Sequence, residues 1–165
     1  MLLLGPPQSL SSPSVTKMLS ELIKQLGHRW YNIDNLCLAL THRSLGKPNN
    51  ERLEYLGDSV LDILVADALF NYHPNRDEGW LSTVRASLVR TERLADIARN
   101  INLPKYIRSS FGKNANLSNN RNMIADAVEA VIGAVYVDGG LQSAKKVTWN
   151  INIIPSNLER MTGPL

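Results

Sequence analysis

From Ser14 onward, Val15, Met18, Leu19, Leu22, Ile23 and Leu26 recur at the spacing of one face of an α-helix. Ser14 is a candidate N-cap, and Gly27 stands just past the last apolar position, where helices commonly end. The same periodicity predicts a helix over residues 34–42 and a long one over 50–72, stopped by the Pro74-Asn75 turn. Further helices are expected at 81–89, 91–100, 122–137 and 140–149, while the polar stretch 109–120 reads as a loop. Few segments alternate as strands do, and there is no internal repeat or inter-domain linker, so the fold class is all-α. Residues 1–13, rich in Pro and Ser after a short leucine run, read as a disordered N-terminal segment. Residues 14–150 form one domain, and 151–165, with Pro155, Gly163 and Pro164, form an irregular tail.

The 165 residues suffice to bury a core without staples, and 44% hydrophobic with 20% charged residues is ordinary for a globular domain. No apolar run approaches the roughly 20 residues of a membrane span. The net charge of +3 would aid approach to a polyanion without identifying one. A single cysteine, Cys37, excludes an intramolecular disulfide and a cysteine-built zinc site; its place in an apolar run makes it a buried thiol. Neither the basic start of a signal peptide nor the arginines of a transit peptide precede the domain, so an intracellular, cytoplasmic or organellar setting is expected.

Chemistry concentrates in two acidic groups. Glu51, Glu54 and Asp58 fall at i, i+3 and i+7, a row of carboxylates about 10 Å long on one helix face. A solvated face explains that row equally well from spacing alone. Asp126 and Glu129 form a second pair, i and i+3, on a segment that is otherwise almost wholly apolar. A helix apolar on most faces is buried, and two carboxylates on it are costly unless paired or bound to a cation. Oxygen ligands without a His or Cys cluster suit Mg²⁺, which keeps waters that substrate phosphates can replace. Such a site supports metal-dependent phosphoryl transfer. The paired Glu-x-x-His motifs of a di-iron bundle and the Asp-rich motifs of prenyl transfer are both absent.

Thr41-His42-Arg43-Ser44, followed by Asn50-Glu51-Arg52-Leu53-Glu54-Tyr55-Leu56-Gly57-Asp58, resembles the signature of the ribonuclease III family. The resemblance runs through Asp77-Glu78-Gly79-Trp80 and Arg85-Ala86-Ser87-Leu88 to Ala125-Asp126-Ala127-Val128-Glu129 and Val137-Asp138-Gly139-Gly140. It implies a helical endonuclease domain that hydrolyses phosphodiester bonds of double-stranded RNA with Mg²⁺, for which Mn²⁺ can substitute. Glu51, Glu54, Asp58, Asp126 and Glu129 would be its catalytic acids, with Glu54 and Glu129 direct metal ligands and Asp58 and Asp126 completing the metal and water network. It further implies a homodimer with Tyr55 and Leu56 near the interface, although local sequence alone reads Tyr55 as half-buried packing.

Glu78 matches an acidic position near the RNA groove, and Arg43, Arg85, Arg90, Lys113 and Arg121 are candidate phosphate contacts, each also readable as an ordinary solvated charge. His42 is read as a packing and hydrogen-bonding residue rather than a base. The family's double-stranded-RNA-binding domain is not contained in these residues, so a protein partner that captures RNA is expected in its place. Asn122-Met123 replaces the usual Ser-Ile, and Gly112-Lys113-Asn114-Ala115-Asn116 lacks a common glutamate, departures that bear on substrate range. The alternative is a non-catalytic RNA-binding or ribosome-assembly relative, against which the five retained acids argue.

Overall fold

The computed structural model describes residues 12–111 and 116–165. The expected disordered segment falls, but for its last two residues, outside this range, and so does Lys113. Among the described residues the chain forms seven α-helices: α1 (Pro13–Met18), α2 (Ser20–Leu26), α3 (Asp34–Ala39), α4 (Glu51–Tyr72), α5 (Glu78–Val89), α6 (Thr91–Asn100) and α7 (Arg121–Asn150). Among these residues the only extended pairing is an isolated bridge between Thr41 and Arg108. The fold is therefore all-α, and no described helix is long and apolar enough to cross a membrane.

Several boundaries differ from the sequence pattern for identifiable reasons. Ser14 is not the first cap: Ser12 holds that position and Pro13, pre-set for helical φ, takes the first turn. The backbone bends at Leu19, although bonds from Leu19 N to Val15 O and from Ile23 N to Leu19 O carry the ladder across it. α5 starts three residues earlier than predicted because the Asp77 carboxylate caps it, accepting from Trp80 N at 2.8 Å. The two helices expected at 122–137 and 140–149 abut within α7 and part, as expected, at Gly140, whose φ of 78° and ψ of −175° are not helical.

α7 is the axis of the molecule. From Met123 to Val135 only Asp126 and Glu129 escape full burial, as its nearly unbroken apolar sequence requires. α4 lies against it with Leu53, Gly57, Val60, Leu61 and Leu64 inward. Their crossing is a backbone contact. A Cβ on Gly57 would collide with the carbonyl of Glu129, and one on Gly133 with the carbonyl of Leu53. Only glycine at both positions lets the helices approach this closely.

Asp138 fastens the α2–α3 connection to α7. Its carboxylate accepts from His28 Nε2 at 2.8 Å, from the backbone N–H groups of Tyr31 and Asn32, and from Asn35 Nδ2. Burial opposes its ionisation, but these donors prevail and hold the carboxyl below its ordinary pKa.

The tail is irregular, as its composition predicts, yet it is integral to the core. Ile151, Ile153, Ile154, Leu158 and Met161 are buried. Its backbone is pinned by His73 Nε2, which donates to Leu158 O at 2.8 Å, and by Arg93, which donates to the carbonyls of Asn152 and Ile153.

Candidate active site

The Gly57–Gly133 crossing sets the chemistry. With α4 and α7 in backbone contact, residues a turn before the crossing face one another. Carboxylate oxygens of Glu54, from α4, and of Asp126 and Glu129, from α7, lie within 4.8 Å of one another. The solvated row and the buried pair of the sequence are thus joined through three members.

Asp58 is not within that triad. It is exposed one turn beyond Glu54, although its charge reaches both Glu54 and Glu129. Glu51, also exposed, lies at the rim, 3.8 Å from Arg43.

Burial and mutual repulsion make the triad reluctant to ionise. Glu129 is pushed up to about 8, chiefly by burial and then by the charges of Asp58, Asp126, Glu54 and Asp62. Burial, with neighbouring acids Asp126, Glu51 and Asp58, also raises Glu54. Asp126 is raised by burial against the opposing pull of Arg43 and His42. Three half-buried carboxylates whose charged forms are disfavoured by burial form a site for a hard cation, and their oxygen-only donors fit Mg²⁺ or Mn²⁺.

A cleft of about 150 Å³ opens beside the triad, lined by His42, Arg43, Asn50, Glu51, Glu54 and Asp126. His42 Nδ1 accepts from Ser44 N at 3.2 Å, and its ring rests tilted against Phe111. Burial and then Arg43 lower its pKa. Asn50 is 3% exposed; its Nδ2 donates to Ala39 O at 3.3 Å and its backbone N to Thr41 O.

The remaining positions scatter. Glu78 is in the first turn of α5 and accepts from the Ser82 hydroxyl. Arg85 is 4.0 Å from Asp62, Arg121 is paired with Glu92 at 3.2 Å, and Arg90 is exposed between α5 and α6. Only Arg43 among the described candidate cations lines the cleft.

Tyr55, read locally as half-buried, is 79% exposed; Leu56 is partly buried against the core. The sequence reading missed Asn50 and Asp62 as neighbours of the acids. It also missed Gly57 and Gly133, although a glycine inside each apolar helix was the available signal for close backbone approach.

A helical domain that presents a carboxylate triad at a glycine crossing could hold a metal ion, and comparison with known proteins makes the class specific. Residues 33–155 match the family model described as Ribonuclease-III-like. The chain is 41% identical over 133 residues to Ribonuclease 3 of Coxiella burnetii, covering 80% of this chain and 57% of that protein. It is 45% identical over 134 residues to Ribonuclease 3 of Nitrosococcus oceani, covering 81% and 58%.

Among solved structures, the nuclease domain of ribonuclease III from Campylobacter jejuni superposes with a TM-score of 0.74 at 36% identity, over 85% of this chain and 98% of that one. A second structure of that domain, concerned with flexibility in the region involved in dimer formation, gives 0.72 at 37% identity, over 81% and 94%. The chain belongs to the ribonuclease III-like family and comprises its nuclease domain. It spans somewhat more than half the length of the curated relatives it matches.

Proposed function

We propose that this chain is a Mg²⁺-dependent endonuclease that hydrolyses phosphodiester bonds in double-stranded RNA. The observation that carries the reading is the convergence of Glu54, Asp126 and Glu129 from two helices, within 4.8 Å, in a ribonuclease III-like nuclease domain. These three residues would hold the metal, with Mn²⁺ an alternative occupant. Bound there, Mg²⁺ supplies Lewis-acid polarisation of the scissile phosphate and a water of lowered pKa. Asp58, exposed at the mouth of the cluster, holds water at the fourth acidic position, and Glu51 on the rim keeps the Arg43 guanidinium beside the cleft. Arg43 is placed to meet a backbone phosphate, the shape-based contact through which A-form RNA is read. Capture of RNA is aided by a partner protein or by a binding domain outside these residues.

The active form is a homodimer built on the outer face of α4. Tyr55, Ile63 and Phe70, 79%, 55% and 72% exposed, lie on one helical stripe. A hollow of about 370 Å³ between α4 and α5, lined by Ile63, Ala66, Leu69, Phe70, Leu81 and Arg85, adjoins it. Large exposed apolar residues grouped in this way mark an association surface. Tyr55→Asp is expected to convert a dimer to a monomer in light scattering at micromolar concentration, since loss of an aromatic anchor costs about 2–4 kcal/mol. An unchanged dimer would remove Tyr55 from the interface.

Incubation with a labelled RNA duplex tests the function. Cutting in Mg²⁺, none in EDTA, and none of single-stranded RNA or a DNA duplex is the expected pattern. Binding of the duplex without cutting would favour a non-catalytic role.

A further inference from the structure

The cleft beside the acids carries two polar atoms to which the carboxylate chemistry gives no task. Asn50 is almost fully buried, and its amide is oriented: the Ala39 carbonyl can only accept, so Nδ2 faces it. Oδ1 is left without a hydrogen-bond partner among the described residues, in a residue that lines the cleft.

His42 is fixed in the same way. Its Nδ1 accepts from Ser44 N, which only a ring unprotonated at Nδ1 can do, so the proton resides on Nε2. Nε2–H likewise has no partner among the described residues. Both side chains are held by bonds to backbone, His42 Nδ1 accepting from Ser44 N and Asn50 Nδ2 donating to Ala39 O, so less ordering is needed when a ligand arrives. The cleft therefore offers one fixed donor and one fixed acceptor, both uncharged, beside three carboxylates.

A phosphate oxygen suits Arg43 at the same cleft but cannot satisfy this pair, because it has no hydrogen to donate to Asn50 Oδ1. A hydroxyl suits it well, since one O–H donates and its lone pairs accept. The group on an RNA strand with that chemistry is the ribose 2′-hydroxyl, which distinguishes RNA from DNA.

We propose that His42 and Asn50 read the 2′-hydroxyl of a nucleotide flanking the cut, with His42 Nε2–H donating to it and Asn50 Oδ1 accepting from it. The pair makes the reaction site itself, and not only the overall shape of the duplex, selective for ribose. The inference rests on the double-stranded-RNA nuclease reading above.

The test is a scan of single 2′ substitutions across the nucleotides on either side of the cut in an otherwise all-RNA duplex, with kcat/KM read at each. Both 2′-deoxy and 2′-fluoro are used, because fluorine keeps the A-form sugar pucker while removing the O–H. Wild type is expected to lose about tenfold or more at one position with both substitutions, since a polar pair built for a hydroxyl is left unsatisfied without it. His42→Phe should cut the all-RNA duplex more slowly and respond to the substitution by less than about twofold. His42→Gln, whose amide nitrogen falls where Nε2 stood, should recover part of the discrimination.

Absence of any sensitive position in wild type overturns the proposal without recourse to a variant, and so does undiminished sensitivity in a folded His42→Phe protein. Failure of wild type to cut the all-RNA duplex would overturn the nuclease reading as well. Efficient cutting with no response to 2′ substitution would overturn this inference alone.

Discussion

Glu129→Gln is expected to abolish cleavage while making the metal-free protein more stable at alkaline pH. The amide keeps the shape of the side chain but is a poor Mg²⁺ ligand. Losing about 4 kcal/mol of metal-borne stabilisation of the reacting phosphate lowers kcat by about 10³-fold.

The stability effect follows from the raised pKa. In the fold Glu129 titrates at about 8, against an ordinary value of 4.5. Between those values the folded chain holds a proton that the unfolded chain has released, so stability falls as pH rises through this window and levels off above it. Thermal unfolding in EDTA should therefore show wild type losing ground to Glu129→Gln from about pH 5 to pH 8. Mg²⁺ should restore wild type at pH 8 and leave the variant unchanged, because only the wild-type cluster exchanges its proton for the ion. Normal cleavage by Glu129→Gln would remove this residue from the site.

Gly133→Ala is expected to destabilise the fold. Helix propensity alone would favour alanine by about 1 kcal/mol. Opposing it, the new methyl would occupy the space of the Leu53 carbonyl, and backbone flanks it on both sides. Overpacking of this kind costs about 1–3 kcal/mol, and more where no side chain can yield. The net loss should lower Tm by several degrees, and by moving α4 off α7 it should also weaken Mg²⁺ binding, because the ligands come from both helices. Gly163→Ala, with open space around its Cβ position, should change neither. A Tm for Gly133→Ala equal to wild type would show that the crossing can relax.

Helical periodicity made the all-α architecture readable because these helices are two-sided: α6, with Leu94, Ala95, Ile97 and Ala98 inward, falls exactly where the pattern predicts. The pattern weakened where one residue outweighed periodicity. Asp77 starts α5 by capping, three residues before the apolar pattern begins, whereas the break expected near Gly140 is present as a non-helical residue between two helical runs. The tail read only as irregular because its prolines suppress periodicity, yet its isoleucines fill the core. At the candidate site, the acids were legible as two separate groups, since i, i+3 spacing reports only neighbours on one helix. Their meeting depends on Gly57 and Gly133, 76 residues apart, whose role is to be absent from each other's space. Nor can spacing reveal that Asn50, a residue of the cleft lining, turns its amide nitrogen to Ala39.

The account turns on a divalent ion held at the α4–α7 crossing, and the most direct measurement is an anomalous-difference map from crystals of the protein grown with Mn²⁺ at a pH above 8, where Glu129 is ionised. The account predicts a peak bridging Glu54, Asp126 and Glu129, and its loss in Glu129→Gln crystals treated identically. A duplex-cutting protein whose Mn²⁺ peak lay away from these three carboxylates, or persisted undiminished in the variant, would contradict it.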